Sequence, residues 1–135
     1  MYIIDVSNQI FTSMYSPSQA KFNRFSFPTQ GLGSLVSKIN QINKKKAKDE
    51  KIYFVLDGRD NFRKKLYPDY KANRKNNPEK EVYEEMFRLQ VEQVEKLFPN
   101  FGIEIVKHES LEADDLIYSL AYLNRSEKCE VYSDD

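Results

Sequence analysis

Residues 51–58 read KIYFVLDG, and this stretch decides the fold. Its first six residues form a short, mostly apolar run rich in β-branched and aromatic side chains, which is typical of a strand covered on both faces. Asp57 and Gly58 end the run, as turn residues do. Three similar runs occur elsewhere, at residues 2–6, 103–107 and 129–133. The sequence therefore predicts four strands that belong to a buried sheet.

Between the predicted strands, apolar residues recur at three- and four-residue spacing, as they do on one face of a helix. The predicted helices cover residues 32–42, 83–98 and about 111–124. The side chains of the last helix that we expect to face the core are Leu116, Ile117, Leu120 and Leu123. Strands that alternate with helices predict a three-layer α/β/α domain with a mostly parallel central sheet. Residues 15–30 are polar and aromatic, and we interpret them as a loop.

The composition indicates one globular domain without a membrane span. The chain has 135 residues, of which 40% are hydrophobic, and this is enough for one hydrophobic core. No apolar run approaches the roughly 18 residues that a spanning helix needs. The N-terminus lacks the basic region of a signal peptide, and the single cysteine, Cys129, cannot form an internal disulfide. We therefore expect a cytoplasmic, intracellular protein. We also expect it to act as a monomer.

The formal net charge is zero, but the two signs are segregated along the chain. Residues 59–80 carry eight basic and three acidic side chains, whereas residues 104–135 carry three basic and nine acidic ones. A neutral total therefore does not exclude a nucleic-acid partner, because a basic block and an acidic block offer separate surfaces.

Carboxylates follow all four predicted strands. In chain order they are Asp5, Asp57, the group Glu112, Asp114 and Asp115, and Asp134. Taken singly, each has an ordinary structural explanation, because acidic residues cap helices and turns. The carboxyl ends of parallel strands, however, meet at one edge of the sheet, where ligands of such folds bind. We therefore expect these side chains to lie close together.

Gathered carboxylates repel one another unless a cation or protons neutralise them. Oxygen ligands without His or Cys favour Mg²⁺ or Mn²⁺ over zinc. Two such ions about 4 Å apart activate a water and stabilise the leaving oxygen in phosphodiester hydrolysis. The acidic residues therefore predict a site for two divalent cations.

The basic block contains the run RKKLYPDYKANRK at residues 63–75, in which cations alternate with tyrosines. This mixture is typical of a surface that neutralises phosphates and stacks on bases. The candidate nucleic-acid-binding residues are Arg63, Lys64, Lys65, Tyr67, Tyr70, Lys71, Arg74 and Lys75. The structural alternative is a solvated charged loop. A loop as long as residues 58–79 is, however, uncommon in a compact domain unless it is functional or disordered.

The segments DGRDNFRKKLYPDYKANRK, EADDLIYSLA and VYSDD, in this order, resemble the N-terminal catalytic half of 5′–3′ exonucleases and flap endonucleases. This family includes the 5′-nuclease domain of bacterial DNA polymerase I and phage 5′ nucleases of the ribonuclease H type. The resemblance covers essentially the whole chain. It implies a PIN-like, resolvase-like fold and Mg²⁺-dependent cleavage at 5′ ends, flaps or RNA primers, inside a bacterial or phage-infected cell.

The resemblance also implies roles for individual residues. Lys71 and Arg74 correspond to catalytic residues that grip and polarise the scissile phosphate, and Tyr70 to an aromatic that stacks on the terminal nucleotide. The six acidic residues named above correspond to metal ligands or their water-mediated outer shell. Residues 58–80 correspond to the arch that a 5′ single strand passes. In the family a second Asp and a helical DNA-binding region follow, and we expect both to lie outside residues 1–135.

The partners implied are DNA with a 5′ single-stranded flap or end, an RNA–DNA hybrid as an alternative, and replication proteins. Two other functions stay open at this point. One is a catalytically incomplete nucleic-acid-binding or partner module derived from this family. The other is a PIN-domain ribonuclease, against which the YKANR segment argues.

Overall fold

The computed structural model of the protein describes residues 1–16, 22–60, 62–68 and 78–133. The strands within these ranges are β1 (Tyr2–Asp5), β2 (Ile52–Leu56), β3 (Glu104–Lys107) and β4 (Glu130–Tyr132). The helices are α1 (Val6–Met14), α2 (Gln30–Asn43), α3 (Phe62–Leu66), α4 (Pro78–Leu97) and α5 (Ala113–Leu123), with a 3₁₀ turn at Phe98–Phe101 after α4. None of these helices has both the length and the apolar character needed to cross a bilayer.

The four strands form one sheet in the order β3-β2-β1-β4. All three strand pairings are parallel, and Asp5 at the end of β1 lies in register with Val55 of β2. The parallel sheet predicted from the sequence is thus confirmed. The chain moves outward from β1 in one direction to β2 and β3 and then returns to place β4 on the other side. The carboxyl ends of β1 and β4 therefore flank a topological switch point, where ligands of open α/β sheets bind.

The side chains of the central strands alternate between two apolar layers. Ile4 and Phe54 are fully buried on the face covered by α1, α2 and α4. Ile3 and Val55 are fully buried on the opposite face, against α5. Strand residues point alternately to the two faces, so these short strands supply both cores. This confirms the predicted three-layer arrangement.

Helix α1 is the main feature that the sequence pattern did not predict. The first strand ends at Asp5 rather than at the predicted Val6, because Asp5 caps the new helix by accepting a 2.9 Å hydrogen bond from the Asn8 amide. Val6, Ile10 and Met14 lie four residues apart and are buried. The pattern is typical of a helix, but α1 has only nine residues and follows the strand without a loop.

Other boundaries differ from the prediction by a few residues. Helix α2 begins at Gln30, inside the stretch interpreted as a loop, and α4 begins at Pro78, before the predicted start. Gly102 ends the 3₁₀ turn with a φ of 74°, a left-handed conformation that favours glycine. The prediction that Leu123 faces the core is wrong: its side chain is 75% exposed. It is the last residue of α5.

Candidate metal and nucleic-acid site

The loop after β2 lies directly against the loop that precedes α5. The Gly58 amide donates to the Leu111 carbonyl oxygen at 2.8 Å, and the Asp60 amide donates to the Glu109 carbonyl oxygen at 2.8 Å. A Cβ atom at position 58 would lie 2.2 Å from the carbonyl oxygen of His108. Only glycine permits this approach of the two backbones. The carboxyl ends of β2 and β3 are therefore joined by main-chain contacts.

This contact brings Asp57 to the first turn of α5. Its Oδ1 atom accepts a 2.8 Å hydrogen bond from the amide of Ala113, the first residue of the helix. The amide of Glu112 donates to Asp115 Oδ2 at 3.1 Å. Carboxylates at this position are favoured, because the first amides of a helix lack intrahelical partners and carry the positive end of its dipole. Asp57 and Asp115 therefore also have an ordinary structural role, as carboxylates that cap the first turn of α5.

Asp5 connects the two strands at the switch point. Its side chain is only 4% exposed. Besides capping α1 through Oδ1, it accepts a long hydrogen bond of 3.3 Å on Oδ2 from the hydroxyl of Ser133, the residue that follows β4. The carboxylate therefore lies between the ends of β1 and β4.

The electrostatic environment of Asp5 is unfavourable for a charged carboxylate. Burial raises its pKa above the ordinary value, and the negative charges of Asp57 and Asp114 raise it further. Hydrogen bonds from the Asn8 amide and the Ser133 hydroxyl oppose this increase only in part. The strand-end acids of β1 and β2 and the exposed Asp114 of α5 therefore act on one another, and a cation among them would relieve their repulsion.

Arg63 of α3 neutralises the other two acids of the group. Its Nη1 and Nη2 atoms donate to the two carboxylate oxygens of Asp115 at 2.7 and 2.6 Å, and Nη1 also lies 3.2 Å from Glu112 Oε2. The hydrogen bonds from the Arg63 guanidinium lower the pKa of Asp115. Residues 52 positions apart in sequence are thus joined by a planar, two-point ion pair.

The acids divide into two sets. The charges of Asp57 and Asp114 act on Asp5, and Glu112 and Asp115 are held by Arg63. Oxygen donors without His or Cys suit a hard divalent cation. Across the described ranges, no three acidic, His or Cys side chains lie close enough to hold a metal ion by themselves. The predicted ligand Asp134, which follows β4, lies outside the described residues.

The predicted nucleic-acid surface is described only in part. Tyr67 is 69% exposed and available to solvent, and Lys65 pairs with Asp60 at 2.6 Å on the surface. Arg63, predicted in the same set, contacts acids instead of projecting from the segment. The predicted residues that lie outside the described residues are Tyr70, Lys71, Arg74, Lys75 and the side chain of Lys64.

Two features of the site have little or no sequence signal. Ser133 contacts Asp5 although 128 positions separate them. The only sequence signal for Ser133 is that it precedes Asp134, a predicted strand-end acid. The pairing of Arg63 with Asp115 had no signal, because a basic run gives no indication of which of its cations folds back onto an acid.

The whole chain, residues 1–135, matches the family model described as "5′-3′ exonuclease, N-terminal resolvase-like domain". The chain belongs to this family. Similar curated proteins include a 5′-3′ exonuclease of Buchnera aphidicola subsp. Acyrthosiphon pisum, 30% identical over 136 aligned positions that cover 98% of the chain. The DNA polymerase I of Treponema pallidum is 37% identical over 70 residues, which is 52% of the chain and 6% of that polymerase. The recognition of a 5′–3′ exonuclease and flap endonuclease family from the sequence is confirmed.

Solved structures confirm the fold of this exonuclease-family chain. A T5 5′-exonuclease with bound zinc ions superposes with a TM-score of 0.74 at 22% identity, covering 100% of the chain and 49% of that protein. A pseudo-enzyme-product complex of the bacteriophage T5 flap endonuclease with DNA and metal ions gives a TM-score of 0.71 at 18% identity, covering 99% and 48%. The chain spans less than half the length of these relatives, and 45% of the Buchnera exonuclease.

Proposed function

We propose that the chain is the catalytic half of a metal-dependent 5′ nuclease that hydrolyses phosphodiester bonds in DNA. The observation that carries this proposal is the buried Asp5 at the switch point, whose pKa is raised by burial and by the charges of Asp57 and Asp114. Negative charges that repel one another favour the binding of cations, and a cation-dependent nuclease needs such a site. The chain belongs to a family of 5′-3′ exonucleases.

The cofactor in this proposal is Mg²⁺ or Mn²⁺, as two ions. Asp5, Asp57 and Asp114 are the described ligands, Asp134 is a further one, and Glu112 and Asp115 are ligands or outer-shell partners. When bound, such ions lower the pKa of water and neutralise charge on the leaving oxygen. One T5 relative has divalent zinc ions bound and the other has metal ions bound, which supports a metal cofactor but does not identify the ion.

The protein's own side chains orient this chemistry. The Ala113 amide fixes Oδ1 of Asp57. The Asn8 amide fixes Oδ1 of Asp5, while the Ser133 hydroxyl donates to its Oδ2. Lys71 and Arg74 grip the scissile phosphate, and Tyr70 stacks on the terminal base. In this proposal residues 58–80 serve as the arch segment, of which helix α3 (Phe62–Leu66) is a described part.

The proposed substrate is DNA with a 5′ single-stranded flap or end, supported by the T5 flap endonuclease complex with DNA. An RNA–DNA hybrid, as in primer removal, is the alternative substrate. Replication proteins are the proposed partners, in agreement with the likeness to a DNA polymerase I. Such substrates place the protein inside the cell.

The test is cleavage of a labelled 5′-flap DNA by the chain in Mg²⁺, Mn²⁺ and EDTA. We expect cleavage that requires the metal and that falls at least about 100-fold in Asp57→Ala, since removing even an outer-shell partner of a metal costs 10- to 100-fold. Arg88→Gln, which changes an exposed arginine of α4 (56% exposed), is the matched control and keeps the parental rate. Metal-independent cleavage, or an unaffected Asp57→Ala, would contradict the proposal.

The second candidate is a binding module without turnover. It is favoured by one observation: Arg63 pairs with both Asp115 and Glu112, so the protein's own cation neutralises two of the predicted metal ligands. Binding of flap DNA in EDTA, with no cleavage in either Mg²⁺ or Mn²⁺, would support this candidate instead.

A further inference from the structure

The two oxygens of Asp115 are both engaged by Arg63. Nη2 donates to Oδ1 at 2.6 Å and Nη1 donates to Oδ2 at 2.7 Å, and Oδ2 also accepts the Glu112 amide at 3.1 Å. The arginine is 30% exposed and the aspartate 26%, so solvent weakens this pair less than a fully exposed one. A carboxylate held at both oxygens by a two-point guanidinium is a poor direct ligand for a cation.

Asp114 differs from its neighbour. It is the second residue of α5, and successive helical residues point about 100° apart. It is exposed, and its negative charge acts on the buried Asp5. The charge of Asp114 therefore acts on the strand-end Asp5, whereas Asp115 is bonded to Arg63 of α3.

We propose, on the basis of the proposed nuclease function, that Arg63 is a positioning residue that keeps Asp115 out of the inner coordination of the metal. It does so by holding helix α3 on the first turn of α5. The paired charges of Arg63 and Asp115 sum to zero, so the pair adds no net charge to the metal site. Asp114, not Asp115, is the ligand that α5 supplies.

This assignment has a distinctive consequence for metal affinity. Removing Arg63 alone releases a carboxylate beside the site and tightens cation binding. Removing Asp115 alone leaves the charge of Arg63 without that carboxylate, although Glu112 still lies 3.2 Å away, and weakens cation binding. Removing both restores the original charge, so the double variant binds the cation as the parent does. If Asp115 were a ligand, the double variant would lose it and bind weakly.

The experiment measures Mn²⁺ binding to the 135-residue chain by calorimetry and by electron paramagnetic resonance, without DNA. The variants are Arg63→Gln, Asp115→Asn, the double variant and Asp114→Asn. The matched control is Arg88→Gln, since Arg88 makes a similar two-point pair with Glu85 (2.9 and 2.6 Å) on the exposed face of α4. Thermal unfolding of each variant reports folding, and the double variant carries the test if a single variant does not fold.

We expect the dissociation constant of the double variant to stay within about threefold of the parent, and that of Asp114→Asn to rise about tenfold or more. We also expect the loss of melting temperature in the double variant to be smaller than the two single losses added together. A double variant as weak as Asp114→Asn, additive melting losses, or a parent that binds no Mn²⁺ would each overturn the inference.

The outcomes separate this inference from the proposed function. A chain with the expected Mn²⁺ pattern that fails to cleave flap DNA retains the Arg63 assignment and contradicts the nuclease activity. A chain that cleaves in Mg²⁺ but loses Mn²⁺ in the double variant retains the activity and contradicts the assignment.

Discussion

The two edges of the sheet carry acids in opposite electrostatic situations. At the amino edge, three acids beside strand starts lie against a cation: Glu50 against the N-terminal ammonium at 3.6 Å, Glu104 against Lys51 at 2.5 Å, and Glu130 against Lys45 and Lys128. At the carboxyl edge, Asp5 is buried and is acted on by two further carboxylates.

The pKa values follow this difference. Hydrogen bonds from Lys45 and then Lys128 lower the pKa of Glu130 to about 2, whereas burial and its acidic neighbours raise the pKa of Asp5. The amino edge is a neutralised surface that stabilises the fold. At the carboxyl edge, neighbouring carboxylates raise the pKa of Asp5, and groups with shifted pKa values cluster at functional sites. The contrast between the two edges suggests four measurements.

The largest effect is expected on nuclease activity. Asp5→Asn should reduce metal-dependent flap cleavage by at least about 100-fold, because it removes a proposed ligand, while Glu130→Gln at the other edge should leave the rate nearly unchanged. Asparagine caps a helix as well as aspartate, so α1 should persist. Steady-state cleavage of a 5′-flap DNA in Mg²⁺ measures both rates. Equal losses in the two variants would remove the distinction between the edges.

Metal should stabilise the folded chain through the carboxyl edge alone. At a free Mn²⁺ concentration of 100 times the dissociation constant, a ligand that binds only the folded state adds about 2.7 kcal/mol. We expect this gain in the parent and in Glu130→Gln, and a much smaller one in Asp57→Asn at the same concentration. Urea unfolding with and without Mn²⁺ measures it, and an undiminished gain in Asp57→Asn would place the cation elsewhere.

The close approach of the two loops at the carboxyl edge should leave no room for a side chain at position 58. Gly58→Ala should destabilise the fold by about 1–3 kcal/mol, since overpacking forces the backbone to move and the new Cβ would meet the His108 carbonyl oxygen at 2.2 Å. Gly33→Ala, in α2 with open space around it, should instead be neutral or stabilising by up to about 1 kcal/mol. Urea unfolding compares the two, and a harmless Gly58→Ala would contradict the close approach.

The smallest effect concerns acid at the amino edge. The folded-state pKa of Glu130 lies below its ordinary value, so its ion pairs stabilise the fold fully above about pH 4.5, and this contribution is lost as the pH falls toward about 2. Glu130→Gln should lack this part of the acid dependence. Asp5 acts in the opposite direction, because its raised pKa favours the protonated folded state. Melting temperatures of the parent and of Glu130→Gln, measured without metal between pH 2 and 6, test this prediction. The same dependence of melting temperature on pH in both proteins would contradict it.

The regular parts of the fold could be predicted because their signals are local. The apolar run at residues 52–56 and the helical spacing in α4 depend on neighbours a few positions away. Helix α1 was missed because it is short and its capping residue, Asp5, also ends a strand. Leu123 was misplaced because periodicity gives the face of a helix but not where the sheet beneath it ends.

The position of the candidate acids at strand ends could be predicted, but the contacts among them could not. Strand-end acids could be placed together, because parallel strands end at one edge. Whether a given cation of the basic run turns outward to a phosphate or inward to an acid depends on the path of the chain between them, and Arg63 turns inward. The positions of Tyr70, Lys71, Arg74, Lys75 and Asp134 stay predictions.

The sequence by itself determined the alternation of strands and helices, the family, and the gathering of acids at one sheet edge, since these follow from local pattern and strand direction. Only the tertiary structure decided that Asp57 caps α5, that Gly58 admits no side chain, and that Arg63 divides the acids into two sets. Contacts between residues about 50 positions apart depend on how loops pack, and charges and hydrogen-bond partners at such distances leave no periodic signal in the chain.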